Sequence, residues 1–492
     1  MGSKSLIFIL LTGLLFIFPK NEVVSQSHHS YSFLREDLNV INNHRRGLQS
    51  FYMRLAQLEA GKTRTVNIVH IGDSHIQADW FSGKVRTLLQ AKFGSAGRGL
   101  VFPYSVARTN SPEDIKSSSS VYWQARRNIE RKGSLPIGIS GITLETGIPE
   151  FKLKLGINPG PDFLHYRFNK ITVFTERGPS FSSWKVANPI PDYEFRKAPS
   201  YRPIVTVEQT KNSRVHVVKK GENLTMIGEQ YGMSVKELMS LNKLENDIIY
   251  PGKMLKIKQS NMLGTQRSPM DEMDMSREIE ESPSTRNFMQ QFYLSSPVHQ
   301  VSLKGDGTGN KTRMYGVVLE NYHQSGILYH MIGVNGAKFT HYNGSPKLHE
   351  HIQALRPDLI IVSLGTNEAV NGYFNESQFE AQVDELIHEL EKYNRFADII
   401  LTTPPDSYKN RSYPNPVVGK ISGVLSRYAI RNDLACWNFY ELMGGKGSIS
   451  SWYKSNLAQN DKLHLTKSGY LLQGQLLYEA LIKGYESYRD RQ

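Results

Sequence analysis

Residues 70–75 read HIGDSH, and they lie where a predicted strand gives way to a predicted helix. Residues 66–69 are mostly β-branched or apolar and predict a short buried strand. Residues 79–93 carry apolar side chains at helical spacing. Ser74 is therefore expected at a strand-to-helix turn on the carboxyl edge of a parallel sheet, where open α/β folds bind ligands and the positive end of the helix dipole points. That position suits a nucleophile.

Gly-Asp-Ser alone is weak evidence, because Asp73 or Ser74 could equally cap a helix. Three more segments follow in a fixed order: residues 333–337 (GVNGA), 365–368 (GTNE) and 461–464 (DKLH). Together with the first stretch they resemble the four blocks of the SGNH (GDSL-type) hydrolase family, which is named for its Ser, Gly, Asn and His.

The blocks also make chemical sense together. A serine hydroxyl is a poor nucleophile near neutral pH, so Ser74 needs a base and the base needs a group that fixes its tautomer. Asp461 and His464 supply both, because their spacing lets one turn place the carboxylate beside the imidazole. Attack on an ester creates an oxyanion that needs preorganised donors. The expected donors are the backbone N–H groups of Ser74 and Gly336 and the side-chain amide of Asn367.

Two of these residues also have ordinary structural interpretations. Asn367 could satisfy a turn after the predicted strand at residues 358–363, and His464 could cap the helix that begins near Thr466. The coincidence of all four blocks in the right order favours the catalytic interpretation.

Three details qualify the resemblance. Ser74 is followed by His75 where many relatives carry leucine, a departure that leaves the triad intact and could alter the acyl pocket. A Cβ at Gly336 is expected to crowd the acyl group. The stretch is not a Gly-x-Ser-x-Gly elbow, so the α/β-hydrolase fold is not implied.

The first 25 residues predict a secretory signal peptide with cleavage near Ser25. Lys4 precedes an apolar run at residues 6–18, and small residues follow it. No later segment looks long and apolar enough to cross a bilayer. We therefore expect a secreted or periplasmic, envelope-associated protein without a transmembrane anchor after cleavage.

The amino-acid composition narrows the classes of binding partner that are expected for this protein. The net charge is +13 over 492 residues, and the pI is about 9.4. An exported basic protein is expected to meet an anionic wall polymer or membrane surface, and no nucleic-acid motif is present. Cys436 is the single cysteine, so it cannot form an internal disulfide, and its apolar neighbours predict a buried core position.

Periodicity divides the rest of the chain. Alternating helices and strands predict a doubly wound parallel sheet in two hydrolase segments, 26–106 and 325–492. Short alternating runs between turns predict an antiparallel β-sandwich-like insert at 107–210 and 291–324. Trp123, Tyr166 and Trp184 of this insert are expected to pack rather than form a sugar platform.

Two shorter segments also carry expectations. Residues 30–60 have an amphipathic stripe that predicts a helix covering the sheet. The glycine-rich residues 93–99 lack the strand and the Lys-Ser/Thr pair of a phosphate loop and are expected to form a flexible active-site rim.

Residues 214–258 resemble a LysM domain, a βααβ module whose family binds N-acetylglucosamine-containing polymers such as peptidoglycan and chitin. The pattern is VVKKGENL at 217–224, then IGEQYG at 227–232, VKELMSLN at 235–242 and IIYPGKMLKI at 248–257. The resemblance implies sugar contacts from two loops: Gly221, Glu222, Asn223, Leu224, Thr225, Asn246, Asp247, Ile248 and Ile249. The polar, charge-mixed residues 259–290 predict a disordered linker.

The combined expectation is an SGNH-type three-layer α/β/α fold, interrupted by a β-sandwich-like insert that contains the LysM module. The two resemblances imply an exported serine esterase that removes O-acetyl groups from peptidoglycan, with no metal or organic cofactor. The motifs leave open an O-acetyltransferase, an acetylesterase acting on another glycan, and a non-catalytic wall-binding protein. A lipase is disfavoured because no apolar lid is evident.

Overall fold

The computed structural model describes residues 31–42, 47–131, 133–157, 166–187, 288–370 and 374–492. It also describes shorter stretches at 214–218, 235–242, 253–257 and 279–282 and the single residues 224, 227, 244 and 249. The chain divides into two units, residues 1–192 with 277–492 and residues 193–276. The predicted signal peptide, residues 1–25, lies outside the described residues.

The strands and α-helices of the described chain have the following bounds. The strands are β1 (Ile41–Asn42), β2 (Thr65–Gly72), β3 (Gly97–Val101), β4 (Ile115–Ser119), β5 (Gln124–Arg127), β6 (Ile142–Thr146), β7 (Lys152–Ile157), β8 (Phe168–Thr175), β9 (Trp184–Ala187), β10 (Arg214–Val217), β11 (Met254–Ile257), β12 (Ile279–Ser282), β13 (Met289–Val298), β14 (Gln300–Gly305), β15 (Thr312–Glu320), β16 (Gly326–Gly333), β17 (Leu359–Ser363), β18 (Asp398–Thr402), β19 (Tyr408–Lys409), β20 (Tyr413–Pro414) and β21 (Ala435–Trp437). The α-helices are α1 (Gln49–Glu59), α2 (Ser74–Gln77), α3 (Trp80–Phe93), α4 (Val235–Asn242), α5 (Phe339–Asn343), α6 (Pro346–Ala354), α7 (Thr366–Val370), α8 (Glu376–Tyr393), α9 (Pro416–Arg431), α10 (Phe439–Leu442), α11 (Ile449–Lys454) and α12 (Lys467–Arg489).

A parallel sheet forms the centre of the segments 26–106 and 325–492. Its order is β16-β2-β17-β18-β21, with β1 added antiparallel at the β21 edge. In chain order the parallel strands therefore lie 2-1-3-4-5, and the chain leaves β2 toward opposite sides. Such a reversal opens a crevice at the carboxyl end of the first strand, and Ser74 follows that end directly. The predicted doubly wound sheet is confirmed.

Helices cover both faces of this sheet because its strands are apolar on both sides. Helices α1, α3 and α12 pack together on one face, and α5, α6, α8 and α9 pack together on the other. On β2 and β17 the side chains of Ile68, Val69, Ile71, Ile360 and Ile361 are fully buried. The burial of Cys436 on β21 confirms its expected core position.

Two antiparallel sheets form the predicted β-rich insert. One has the order β12-β13-β8-β15-β6-β5, with β3 also paired to β15, and the other has the order β4-β7-β14-β9. The indole N–H of Trp184 donates to Thr175 Oγ1 at 2.9 Å, which ties β9 of one sheet to β8 of the other. Trp123 stacks on Trp184 with ring centroids 6.1 Å apart. Both tryptophans and Tyr166 are buried, which confirms their packing role.

The predicted active-site rim at residues 93–99 is wrong. Residues 97–101 form β3, a fully buried strand that joins the insert's sheet through β15. Gly99 has φ +81°, and a Cβ there would lie 2.1 Å from the carbonyl oxygen of Tyr329. The glycines thus serve close backbone packing, and the insert's sheet begins before residue 107.

The single helix predicted over residues 30–60 is also wrong. Of the described residues in this range, Gln49–Glu59 are α-helical, and a short 3-10 helix at Glu36–Leu38 and the strand β1 precede them. Asn39 explains the interruption, because its side chain donates to the Leu476 carbonyl and accepts from the Trp437 indole, both at 3.1 Å. These tertiary bonds override the amphipathic pattern.

The predicted disordered linker, residues 259–290, is wrong at its carboxyl end. Residues 279–282 form β12, which pairs antiparallel with β13, and β13 itself begins at residue 289. Residues 259–278 lie outside the described part of the chain.

In the second unit, β10 and β11 pair antiparallel. Helix α4 ends at Asn242, whose Nδ2 donates to the carbonyls of Leu238 and Lys256 at 2.9 and 2.8 Å. This side chain therefore fixes the helix end against β11, as expected for the close of the second LysM helix. Among the described residues of the chain, no helix combines the length and apolarity needed to cross a membrane.

Candidate active site

The turn after β2 presents Ser74. Strand β2 ends at Gly72, and Asp73 caps helix α2 by accepting the His75 N–H at 2.9 Å. A Cβ on Gly72 would lie 2.2 Å from Ile76 Cγ1 and 2.9 Å from the Ser363 carbonyl oxygen. Only glycine fits there, so the turn stays tight and carries Ser74 to the sheet edge.

Ser74, His464 and Asp461 form a continuous hydrogen-bonded relay. Ser74 Oγ lies 3.2 Å from His464 Nε2, and His464 Nδ1 lies 2.8 Å from Asp461 Oδ2. Because a carboxylate only accepts, the ring proton sits on Nδ1, which leaves Nε2 free to accept from the serine hydroxyl. This is the arrangement that base-assisted attack by serine requires. The side chains of His464 and Asp461 keep 32% and 29% of their surface exposed.

A compact turn fixes the base. The backbone N–H groups of Leu463 and His464 both donate to Asp461 Oδ1 at 3.0 Å. Partial burial opposes ionisation of Asp461, but the His464 ring and these two N–H groups outweigh it and lower the pKa of Asp461 below its usual range. Asp461 is thus a charged carboxylate near neutral pH.

Two of the expected oxyanion donors are backbone groups. Neither the Ser74 N–H nor the Gly336 N–H has a hydrogen-bond partner within the described chain. Within the described protein a Cβ at Gly336 would meet only Ile129 Cδ1 at 3.8 Å, so the expected crowding of the acyl group stays a prediction. The φ of +80° at Gly336 independently favours glycine in the loop after β16.

Asn367 joins the first three sequence blocks. Its Nδ2 donates to Asp73 Oδ2 at 3.1 Å and to the Ala337 carbonyl at 3.0 Å. Both amide hydrogens therefore have protein acceptors. To serve an oxyanion, one of these contacts must be shared or released when substrate arrives.

Two buried carboxyl groups, those of Asp73 and Glu368, lie close to Asn367. Burial raises the pKa of Asp73 to about 7, although N–H donation from His75 opposes the rise. Burial likewise raises the pKa of Glu368 to about 7, with Asp73 nearby adding repulsion. Glu368 Oε1 accepts the Phe339 N–H at 2.8 Å, whereas Oε2 is buried without a partner among the described residues.

Glu368→Gln is expected to stabilise the protein at pH 8 by about 2 kcal/mol and to change stability little at pH 5. The buried carboxyl has a higher pKa in the folded than in the unfolded state, so the wild-type protein loses stability as pH rises from about 4.5 to about 7. Glutamine keeps the acceptor for Phe339 and carries no charge. Urea unfolding at both pH values measures the difference.

The exposed Glu150→Gln serves as the matched control, with no change expected at either pH. An equal effect of Glu368→Gln at pH 5 and pH 8 would contradict the account.

Residues that the motif analysis did not assign also build the site. Gln77 accepts the Asn335 N–H at 2.7 Å and donates to Thr109 Oγ1 and the Asn110 carbonyl, each at 2.9 Å. It thereby links the nucleophile helix to the Gly336 loop. Its position one helical turn after Ser74 is the signal that could have identified it.

Most of the predicted LysM sugar contacts cannot be placed. Gly221, Glu222, Asn223, Thr225, Asn246, Asp247 and Ile248 lie outside the described residues. Leu224 is 2% exposed and belongs to the domain's hydrophobic core, and Ile249 packs against that core. The Leu224 side chain therefore packs inside the domain, and a contact of its loop with sugar stays a prediction. No group of three or more potential metal ligands occurs in the described part of the chain.

Comparison with known proteins identifies both domains. Residues 216–258 match the model of the LysM domain, and residues 301–472 match the model of the GDSL-like Lipase/Acylhydrolase family. The N-acetylmuramoyl-L-alanine amidase sle1 of Staphylococcus aureus (strain USA300) is 37% identical over 57 residues, which are 12% of this chain and 17% of the amidase. The chain thus spans only 17% of the length of this curated relative.

One solved structure, described as "Peptidoglycan O-acetylesterase in action, 5 min", is similar over nearly the whole chain. It has a TM-score of 0.62 at 17% sequence identity and covers 91% of this chain and 99% of its own. At this identity the likeness establishes the shared fold. The chain therefore contains a LysM domain match at residues 216–258 and a match to the GDSL-like Lipase/Acylhydrolase family at residues 301–472, and each match spans less than half of the chain.

Proposed function

We propose that this protein is an exported serine esterase that removes O-acetyl groups from peptidoglycan and holds the polymer through its LysM domain. The observation that carries the proposal is the relay of Ser74, His464 and Asp461, with its 3.2 and 2.8 Å contacts, in a chain that also contains a LysM domain.

The relay supports acyl transfer in two steps. His464 Nε2 takes the Ser74 proton while Oγ attacks the acetyl carbonyl, and Asp461 stabilises the imidazolium that forms. The unpaired N–H groups of Ser74 and Gly336, with Asn367 beside them, are the donors for the oxyanion. His464 then protonates the leaving sugar oxygen. Water activated by the same histidine releases acetate from Ser74.

Four observations favour a wall polymer as the substrate. The LysM family binds polymers of this kind, and the S. aureus relative with sequence similarity is an N-acetylmuramoyl-L-alanine amidase. The structure with the same fold is described as a peptidoglycan O-acetylesterase. Partial exposure of the His464 and Asp461 side chains also suits a sugar chain that must lie across the site.

Excision of residues 193–276, the unit that contains the LysM domain, is expected to separate binding from chemistry. We expect the shortened protein to hydrolyse 4-nitrophenyl acetate like the full chain, because the relay lies in the other unit. On insoluble O-acetylated peptidoglycan its rate and its co-sedimentation with the polymer are expected to fall at least tenfold, as for a lost second binding contact.

Full co-sedimentation of the shortened protein would show that the LysM domain is not the anchor. Loss of activity toward both substrates would show that the excised unit supports the fold, and the comparison would then be repeated with substitutions confined to residues 221–225.

A further inference from the structure

The residue after the nucleophile lies against the catalytic base. The rings of His75 and His464 stack with centroids 5.3 Å apart and planes 26° apart. His75 is only 4% exposed, so the contact takes place on the inner side of the base. One face of His464 is therefore covered by another imidazole, which is not part of the relay.

Tyr470, near the start of α12, holds the His75 ring. Its hydroxyl lies 2.9 Å from His75 Nδ1. A tyrosine hydroxyl can donate to an unprotonated ring nitrogen, and donation to His75 Nδ1 places the histidine's own proton on Nε2. His75 Nε2 is buried and has no partner among the described residues.

This environment keeps His75 uncharged. Burial and, to a smaller extent, His464 lower the pKa of His75 to about 3, and Asp461 opposes this effect. Asp73, which accepts the backbone N–H of His75, is a further carboxyl near the stack. A cation at His75 would repel the imidazolium that His464 becomes during attack, whereas a neutral aromatic face attracts it.

We propose that His75 is a positioning residue for the acyl transfer: its neutral ring, clamped by Tyr470, holds the ring of His464 in the plane that joins Ser74 to Asp461. The inference rests on the proposed function for its chemistry. This role explains why residue 75 is histidine rather than leucine. A leucine would fill the same space, but it has neither a flat face nor an acceptor for the buried hydroxyl of Tyr470.

Three variants separate positioning from simple filling. His75→Phe keeps a flat ring and loses the bond to Tyr470, His75→Leu loses both, and Tyr470→Phe loses only the hydroxyl. The readouts are kcat and KM on 4-nitrophenyl acetate, the rate of Ser74 labelling by a fluorophosphonate, the melting temperature, and the low-field proton NMR signal of the His464 Nδ1–H that bonds Asp461.

For His75→Leu we expect kcat and the labelling rate to fall about ten- to a hundredfold, as for a slightly misplaced catalytic group. KM is expected to stay near the wild-type value and the low-field signal to broaden or shift, while the melting temperature falls modestly because the buried Tyr470 hydroxyl loses its acceptor. His75→Phe is expected to recover most of the lost rate, and Tyr470→Phe to fall between the two. A merely structural role would lower the melting temperature without a selective change in kcat or in the NMR signal.

The proposal is overturned if His75→Leu keeps kcat within twofold and leaves the low-field signal unchanged. It is also overturned if His75→Phe is as slow as His75→Leu, since the flat ring would then have no part. If the wild-type protein does not release acetate, the proposed function fails, whereas the NMR comparison still reports whether His75 positions His464.

Discussion

Replacing Ser74 with alanine is expected to lower kcat on 4-nitrophenyl acetate by a factor on the order of 10⁴ to 10⁶. The substitution removes the hydroxyl oxygen that lies 3.2 Å from His464 Nε2 and that forms the acyl bond in the proposed mechanism. His464→Ala is expected to cost a similar factor. Because the two residues act as one unit, the double variant should be no slower than either single variant.

Steady-state rates on one ester, measured for all four proteins at equal folded concentration, test this expectation. Ser468→Ala, an exposed position just past the triad, is the matched control with unchanged activity expected. Multiplicative losses in the double variant would mean that Ser74 and His464 act independently, and the relay would then be wrong.

Asp461→Asn is expected to lower kcat about 10⁴-fold while leaving the fold intact. The side-chain oxygen that accepts the Leu463 and His464 N–H groups can be kept, so the new amide then faces His464 Nδ1. An amide N–H donates where the carboxylate accepted, and the ring proton is driven to Nε2. His464 can then no longer accept the Ser74 proton.

The loss should be largest in kcat and small in KM, and circular dichroism should match the wild-type protein. Asp461→Glu is a useful companion because it keeps the charge and changes the reach. Retention of more than a tenth of the wild-type kcat by Asp461→Asn would remove Asp461 from the mechanism.

The arrangement of Ser74 and His464 could be predicted from the sequence because of the way an open parallel sheet is built. Ser74 and His464 are 390 positions apart in the chain. Ser74 follows a short apolar strand and His464 precedes a capped helix, and both lie at the same edge of the sheet. Strand ends converge in space whatever the separation along the chain. The large insert between the first two blocks did not disturb this, because it leaves β2 and β16 paired in register.

Contacts between segments that lie far apart along the chain could not be predicted in this way. The glycines of β3 have the composition of a loop, and only the close approach of Gly99 to Tyr329 makes them a buried strand. Asn39 interrupts a helical pattern through bonds to Trp437 and Leu476, which local periodicity does not contain. The stack on His464 likewise depends on Tyr470, which lies 395 positions after His75.

Asn367 shows a subtler limit. Its side-chain amide lies among the blocks, where the motif predicted it, but its partners depend on two other loops. The Asn367 amide donates to Asp73 and to the Ala337 carbonyl, so it has a structural role in the site without substrate. A role as an oxyanion donor remains part of the proposal.

The most direct test of the central claim is the release of acetate from O-acetylated peptidoglycan by the full chain, measured beside Ser74→Ala. We predict that the wild-type protein releases acetate in step with the loss of polymer-bound esters and that Ser74→Ala releases none, although both sediment with the polymer. If both proteins sediment and neither releases acetate, the esterase assignment is contradicted. Transfer of the acetyl group to an added sugar acceptor would then identify a transferase, and its absence a wall-binding protein.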